Sequence, residues 1–273
     1  MSAEVAIERP AAPRAAWTVR RIGGWLLMGL WTALGVTVAW LLLSDFEGEF
    51  FQRYAPRLLQ GLLVTIQLVA ISIALGAALA FPVAFARDSR SRTLRWLSFA
   101  YVNFFRGTPL LAQTFLVYYG AGQFRPFFEA IGMWWFFREA FYCVILTFSL
   151  NTAAYQAEIL RGALEAVPRG QREAAMSMGL PSRVAFWKVI MPQAMIIALR
   201  PFGNEIVLMI KGSAVASVVT IFDLMGATRL AFARSFNFDV YLWAALVYLA
   251  LVETLRRVWD RLEQRLTRHL KPR

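Results

Sequence analysis

The sequence is poor in cysteine and histidine, with only Cys143 and His269 in 273 residues. One residue of each type excludes a disulfide framework and a Cys/His zinc site, and it argues against Cys/His nucleophilic catalysis. Acidic residues are also few, 17 against 29 basic ones, so the net charge is +12. In a soluble chain this excess would suggest nucleic acid, but in an apolar chain it is more typical of cytoplasmic loops. We therefore expect no metal site and no nucleic-acid partner.

Long apolar runs dominate what remains. The hydrophobic fraction is 59% and the mean hydropathy is +0.51, which is too apolar for a soluble globular protein. Apolar runs near the roughly 20 residues that cross a bilayer occur six times; Arg106 interrupts the third, and the fifth carries Arg200 and Glu205. We interpret the third run as one irregular helix. The six candidate spans are 25–43, 58–86, 96–124, 140–157, 189–210 and 240–252. The sequence predicts an all-α integral membrane protein with about six transmembrane helices.

The distribution of basic residues predicts the orientation of these spans. If both termini lie in the cytoplasm, 20 basic residues fall on the cytoplasmic side and 7 on the other side. Cytoplasmic loops carry such an excess of Lys and Arg. We therefore expect a multi-pass protein with both termini in the cytoplasm.

Four regions follow from this pattern. Residues 1–24 form a basic cytoplasmic arm, 25–43 an anchor helix, 58–255 a core domain, and 256–273 a basic cytoplasmic tail. The first span could instead be a signal peptide, but it is longer than the usual apolar region of about 7–15 residues and lacks a cleavage site. Basic residues of the tail are expected to reach membrane lipid headgroups or to pair along a helix.

A cytoplasmic loop at 158–188 contains a short amphipathic segment. Glu173, Ala174 and Ala175 favour a helix, Gly179 suits a left-handed C-terminal cap, and a proline at 181 cannot continue it. Ser182 is then expected to cap the next helix. A small helix with an Ala–Ala face and flexible methionines suits a groove on another protein, although it could also lie on the membrane surface.

Charged residues inside the predicted spans are candidate pathway residues, because charge at bilayer depth is costly. Arg106 lies beside a predicted break in its helix, where it could face a cavity, pair with a buried carboxylate or bond unpaired carbonyls. Glu205, with Asn204, would suit the amino group or cationic side chain of a solute. Arg200 lies about 7.5 Å along the helix from Glu205, so we expect no direct pairing between them.

Uncharged polar residues are weaker candidates for the same pathway. Asn151 and Tyr155 share a helix face at i and i+4, and Ser213 follows the fifth span. Each could line a polar path or could simply bond within or between helices. Both interpretations remain open from the sequence.

The pattern of motifs resembles the membrane subunits of bacterial ABC importers. Glu173-Ala174-Ala175, then Gly179, then 189–192 resembles their EAA loop, with Val189 and Met191 as conservative departures. Further matches narrow the resemblance to the polar amino acid permeases of the histidine and octopine type. These matches are 105–110, 150–155, 158–163 and 204–209. The resemblance implies a five-helix core preceded here by the anchor helix.

The resemblance also implies the partners and the location. A cytoplasmic ABC ATPase dimer would hold the EAA loop, a second permease subunit, paralogous or identical, would complete the pathway, and a periplasmic solute-binding protein would deliver an amino-acid-like or opine-like solute. The location would be the bacterial inner membrane. ATP would be bound by the partner and no cofactor by this chain, which agrees with the lack of a Gly-x-x-x-x-Gly-Lys-Ser/Thr loop around its three lysines. Many relatives carry an acidic residue where this chain has Gly212, so a strongly cation-selective pocket is in doubt.

Two other functions are compatible with an apolar, helical chain. A proton-coupled secondary transporter of small polar solutes could use Glu205 for coupling, but it would not explain the 158–188 loop. A membrane-embedded enzyme would need a reactive cluster that the predicted spans lack. The expected function is therefore that of an importer permease that does not itself hydrolyse ATP.

Overall fold

The computed structural model describes residues 18–44 and 48–268, and every secondary-structure element in these ranges is a helix. The predicted all-α class is confirmed. Two compact units are present, Met1–Phe51 and Gln52–Arg273. Predictions for most of the N-terminal arm and for the end of the tail, including His269, lie outside the described residues.

Twelve α-helices occur in the described ranges, with a π-helical turn before the tenth and a 3-10 segment after it. In chain order they are α1 (Val19–Ser44), α2 (Gly48–Arg87), α3 (Arg92–Gly107), α4 (Leu110–Gln123), α5 (Arg125–Ala130), α6 (Trp134–Phe137), α7 (Ala140–Ala166), α8 (Arg169–Ser177), α9 (Ser182–Ala185), the π turn (Phe186–Ile190), α10 (Met191–Gly212), the 3-10 segment (Ser213–Val219), α11 (Leu224–Ser235) and α12 (Asp239–Leu266).

Helices coincide with all six predicted spans, but they differ in apolar character. Three of the described helical stretches are long and apolar enough to cross a membrane: Val19–Trp40, Phe51–Arg87 and Ser182–Val219. Helices α7 and α12, with 27 and 28 residues, are long enough to span a bilayer and carry more polar side chains. Helix α1 contains the predicted anchor, and its described side chains are nearly all exposed.

The third predicted span is two helices rather than one irregular helix. Helix α3 ends at Gly107 and α4 begins at Leu110, with Thr108 and Pro109 extended between them. Proline disfavours helical backbone in the residue before it and has no N–H to donate, which explains a break at this point.

Helix α7 is the centre of the second unit. It packs against α3, α4 and α10, and Phe148 on α7 is fully buried with Leu68 of α2 and Met209 of α10. The Tyr101 hydroxyl of α3 donates to the Leu150 carbonyl at 2.6 Å. These contacts hold α7 and α10, the two helices that flank the predicted docking loop, in a common core.

Helices α2 and α7 approach closely at Gly76. A Cβ at this position would lie 2.3 Å from Thr152 Cγ2 and 3.3 Å from the Ala153 backbone nitrogen. Small residues allow this kind of close helix packing in membranes. Gly76 therefore fixes how near α2 comes to the polar side chains of α7.

Candidate functional site

The EAA-like segment forms helix α8 and a left-handed cap. Gly179 has φ +71°, as predicted for a C-terminal cap. The Gly179 N–H donates to the Met176 carbonyl at 2.9 Å, and the Leu180 N–H donates to the Ala175 carbonyl at 3.1 Å. This is the Schellman arrangement, which satisfies the last carbonyls of a helix.

The two alanines of the segment differ in exposure. Ala175 is 1% exposed, whereas Glu173, Ala174 and Gly179 are all exposed. The expectation of a common Ala–Ala face is therefore wrong for this chain, since Ala175 packs inward. Met178, which is 71% exposed, adds apolar surface to the outer side.

The docking segment, defined as residues 169–180, is joined to α10. Gln193 of α10 donates through Nε2 to Gln171 Oε1 of α8 at 3.3 Å. Helix α9 begins at Ser182 with Pro181 as its N-cap, so the predicted side-chain cap by Ser182 is wrong. The π turn that follows ends just before Pro192, whose missing N–H cannot complete an ordinary helical bond.

A set of hydrogen-bonded side chains lies between α2, α4, α7 and α10, and we call it the polar layer. Glu205 is 6% exposed, and its Oε1 accepts from the Thr152 hydroxyl at 2.9 Å. Gln156 Nε2 donates to the Thr152 hydroxyl at 3.0 Å. On the same helix, Asn151 Nδ2 donates to Gln113 Oε1 at 2.9 Å. The polar layer therefore consists of five side chains: Gln113, Asn151, Thr152, Gln156 and Glu205.

The polar layer also supports the break between α3 and α4. The Phe105 carbonyl accepts from Asn151 Nδ2 at 3.0 Å and from Gln113 Nε2 at 2.9 Å. Gln113 also reaches the Thr108 carbonyl at 3.1 Å. Two amide side chains thus bond the carbonyls that the break frees, a role that the sequence had offered to Arg106.

A second polar region, the lateral groove, opens at the surface one turn further along α7. It has a volume of about 300 Å³ and is lined by Arg106, Tyr155, Glu158, Ile159, Gly162, Ala163, Ile197 and Pro201. The Arg106 guanidinium lies 5.3 Å from the centre of the Tyr155 ring, within the range of a cation–π contact. Because Pro201 cannot donate to the Ile197 carbonyl, that carbonyl is left available at the wall of the groove.

The remaining pathway candidates occupy different positions. Asn204 is exposed, although its neighbour Glu205 is buried. Ser213 is fully buried, and its hydroxyl donates to the Ile210 carbonyl at 2.7 Å. Arg200 pairs with Glu263 of α12 at 2.9 Å, consistent with the expectation that it does not pair with Glu205.

Three features of the site were missed from the sequence. Gln113 and Gln156 join the polar layer, and Glu158 bridges Arg87, at 3.3 Å, and Arg161. The hydrogen bond from Arg161 holds the pKa of Glu158 below its usual range. Amide side chains within apolar runs were the available signal for the two glutamines, since such groups need partners when buried.

The groups at this site offer hydrogen bonding and charge recognition. Within residues 18–44 and 48–268, no three His, Cys, Asp or Glu side chains are grouped as metal ligands. The polar layer offers carboxylate, hydroxyl and amide groups, and the lateral groove offers a guanidinium and a phenol. These groups can bind and orient a polar solute.

Comparison with known proteins identifies the family. Residues 70–268 match the family model of the binding-protein-dependent transport system inner membrane component. The nopaline transport system permease of Agrobacterium fabrum is 37% identical over 219 residues, which cover 80% of this chain and 91% of that protein. The octopine transport system permease of Rhizobium radiobacter is 38% identical over 222 residues, with 80% and 89% covered.

A solved structure agrees with these relatives. The crystal structure of an amino acid ABC transporter with histidines superposes with a TM-score of 0.72 at 29% identity, and the match covers 81% of this chain and 99% of the other. The relatives are transport permeases, and no enzyme function is implied for this chain. The chain therefore belongs to the family of binding-protein-dependent transport system inner membrane components, the permeases of ABC importers.

Proposed function

We propose that this chain forms the solute pathway of an ATP-driven importer for a polar amino acid or an opine-like derivative. The relatives named for nopaline and octopine transport support this solute class. So does the mixture of polar groups in the layer and the groove, because an amino acid carries both a carboxylate and an ammonium group. Arg106 and Tyr155 would meet the solute from the groove, and Glu205 from the layer.

The proposed assembly contains three further kinds of subunit. A cytoplasmic ABC ATPase dimer would bind and hydrolyse ATP, a paralogous or identical permease would complete the pathway, and a periplasmic binding protein would deliver the solute. The absence of a phosphate-binding loop from the sequence supports a separate ATPase. The excess of basic residues on one side supports an inner-membrane orientation with cytoplasmic termini.

The observation that carries the coupling proposal is the form of the docking segment. Helix α8 and its C-cap present Glu173, Ala174 and Met178 outward, and all three side chains are exposed in the part of the chain that the structure describes. A small exposed helix with a carboxylate and a flexible apolar side chain can enter a cleft on another protein. We infer that the cleft belongs to the ATPase.

The position of the docking segment would let it transmit movement to the solute pathway. It lies between α7, which carries Asn151 and Tyr155, and α10, which carries Glu205. The bond between Gln171 and Gln193 ties α8 to the start of α10. A displacement of α8 by the ATPase would therefore move the two helices on which the pathway candidates lie.

A pair of glycine substitutions tests the docking proposal. Gly179 and Gly132 both have left-handed φ, +71° and +68°, and a Cβ at either position would meet nothing within 4 Å. Gly179→Arg and Gly132→Arg therefore carry a similar backbone cost of about 1–2 kcal/mol. We expect Gly179→Arg to abolish both solute uptake and the copurification of the ATPase subunit. Gly132→Arg should still copurify with the ATPase subunit.

Glu173→Lys provides an independent test, because it reverses an exposed charge without backbone strain. We expect normal membrane insertion and loss of uptake. Equal ATPase recovery and normal uptake with both Gly179→Arg and Glu173→Lys would show that docking occurs elsewhere. Uphill transport by the purified chain alone in liposomes would instead favour a secondary transporter.

A further inference from the structure

The turn between α2 and α3 forms a basic pocket that transport does not explain. The pocket has a volume of about 430 Å³ and lies at the end of α2. Its lining, which defines the arginine pocket, consists of Arg87, Asp88, Arg92, Arg95, Trp96, Phe99, Arg161 and Glu165. Four arginines thus meet two carboxylates at one end of an apolar helix.

The four arginines fall into two pairs. Arg87 and Arg161 are both bonded to Glu158, and the Arg87 guanidinium lies 5.1 Å from the centre of the Phe99 ring. Arg92 and Arg95 are exposed, and neither forms an ion pair with a carboxylate in the described part of the chain. Arg95 only donates to the Ser89 carbonyl at 3.4 Å. The second pair is therefore available to an external anion.

The position of this second pair is unfavourable for α3 itself. Both arginines lie in the first turn or just after it, where the N-terminal end of the helix dipole is positive, and that turn contains no acidic residue. Placing two cations there costs stability unless an anion compensates. An anion bound by Arg92 and Arg95 would also be favoured by the helix dipole.

The rim of the arginine pocket indicates where the anion comes from. Trp96 is 64% exposed and Phe99 is also exposed, on the same helix as the two arginines. Tryptophan and other aromatic side chains are typical of the interface between headgroups and acyl chains. A soluble anion would gain nothing from this apolar rim, whereas a phospholipid would contact both parts.

We propose that the arginine pocket binds the phosphate headgroup of an anionic phospholipid, with Arg92 and Arg95 holding the phosphate and Trp96 and Phe99 contacting the acyl chains. Basic pockets between membrane helices bind anionic headgroups in this way. Such a lipid would brace the turn between α2 and α3, beside the Arg87–Glu158–Arg161 cluster at the end of α7.

Native mass spectrometry of the full chain, titrated with phosphatidylglycerol or phosphatidylcholine, tests the proposal. We expect phosphatidylglycerol to bind more tightly than phosphatidylcholine. Arg92→Gln/Arg95→Gln should weaken its first binding event by about 25-fold, taking about fivefold for each arginine near an anionic headgroup. Arg92→Lys/Arg95→Lys, which keeps both charges, should retain most of the affinity and checks that the turn still folds.

Arg90→Gln/Arg138→Gln is the matched control. It removes two charges outside the pocket, one from the same turn, and should bind phosphatidylglycerol as the wild type does. If the control weakened phosphatidylglycerol binding as much as Arg92→Gln/Arg95→Gln does, the effect would be one of net charge and the proposal would be overturned. Wild-type affinity in Arg92→Gln/Arg95→Gln, or displacement of the lipid by an equal concentration of inorganic phosphate, would also overturn it.

Discussion

The polar layer and the lateral groove lie on consecutive turns of α7, yet their polar groups are satisfied differently. Asn151 and Thr152 are buried and bonded to side chains of α4 and α10. Tyr155 faces an open groove, where Arg106 lies over its ring. The difference indicates that the layer contributes mainly to holding the helices together, whereas the groove has groups free to contact a ligand.

The largest expected difference between the two regions concerns packing at glycine. A Cβ at Gly76 would lie against Thr152 and the Ala153 backbone in the layer, whereas a Cβ at Gly107, beside the groove, would meet nothing within 4 Å. We expect Gly76→Val to lower the free energy of unfolding by about 3 kcal/mol and Gly107→Val by no more than about 0.5 kcal/mol. Unfolding in mixed micelles, followed by tryptophan fluorescence, measures both. Similar losses would mean that α2 and α7 are not packed closely.

The second prediction concerns hydrogen bonds and compares two asparagines. Asn151→Leu would leave Gln113 Oε1 without its donor and remove one of the two bonds to the Phe105 carbonyl. We expect a loss of about 1–2 kcal/mol in the free energy of unfolding, the cost of an unpartnered buried polar group. Asn204→Leu, at an exposed position on α10, should change this free energy by less than about 0.5 kcal/mol. If Asn151→Leu also lowered the free energy of unfolding by less than about 0.5 kcal/mol, the layer would not support the break at Pro109.

The comparison also explains how far the sequence could predict the site. Apolar runs located the helices, and Gly179 with Pro181 located the end of α8, because these signals are local. The burial of Ala175 and the pairing of Asn151 with Gln113 depend on contacts between distant segments, which no local pattern contains. For the same reason, the sequence pattern placed Asn204 beside Glu205 in one predicted feature, although Glu205 is buried against Thr152 of α7 and Asn204 is exposed.

The third prediction has the smallest expected effect on stability and separates structure from recognition. Glu205→Gln keeps an oxygen that can accept from Thr152, so we expect a change of less than about 1 kcal/mol in the free energy of unfolding. The substitution nevertheless removes a carboxylate that could contact the cationic side chain of a solute. Competition for uptake in the assembled transporter should therefore shift by about tenfold between cationic and neutral amino acids, the order expected for one charge-assisted hydrogen bond. Arg106→Gln in the groove is the companion variant and should instead weaken all solutes that carry a carboxylate. An unchanged competition profile for Glu205→Gln would assign that residue to the packing of α7 against α10 and leave the groove as the region that meets the solute.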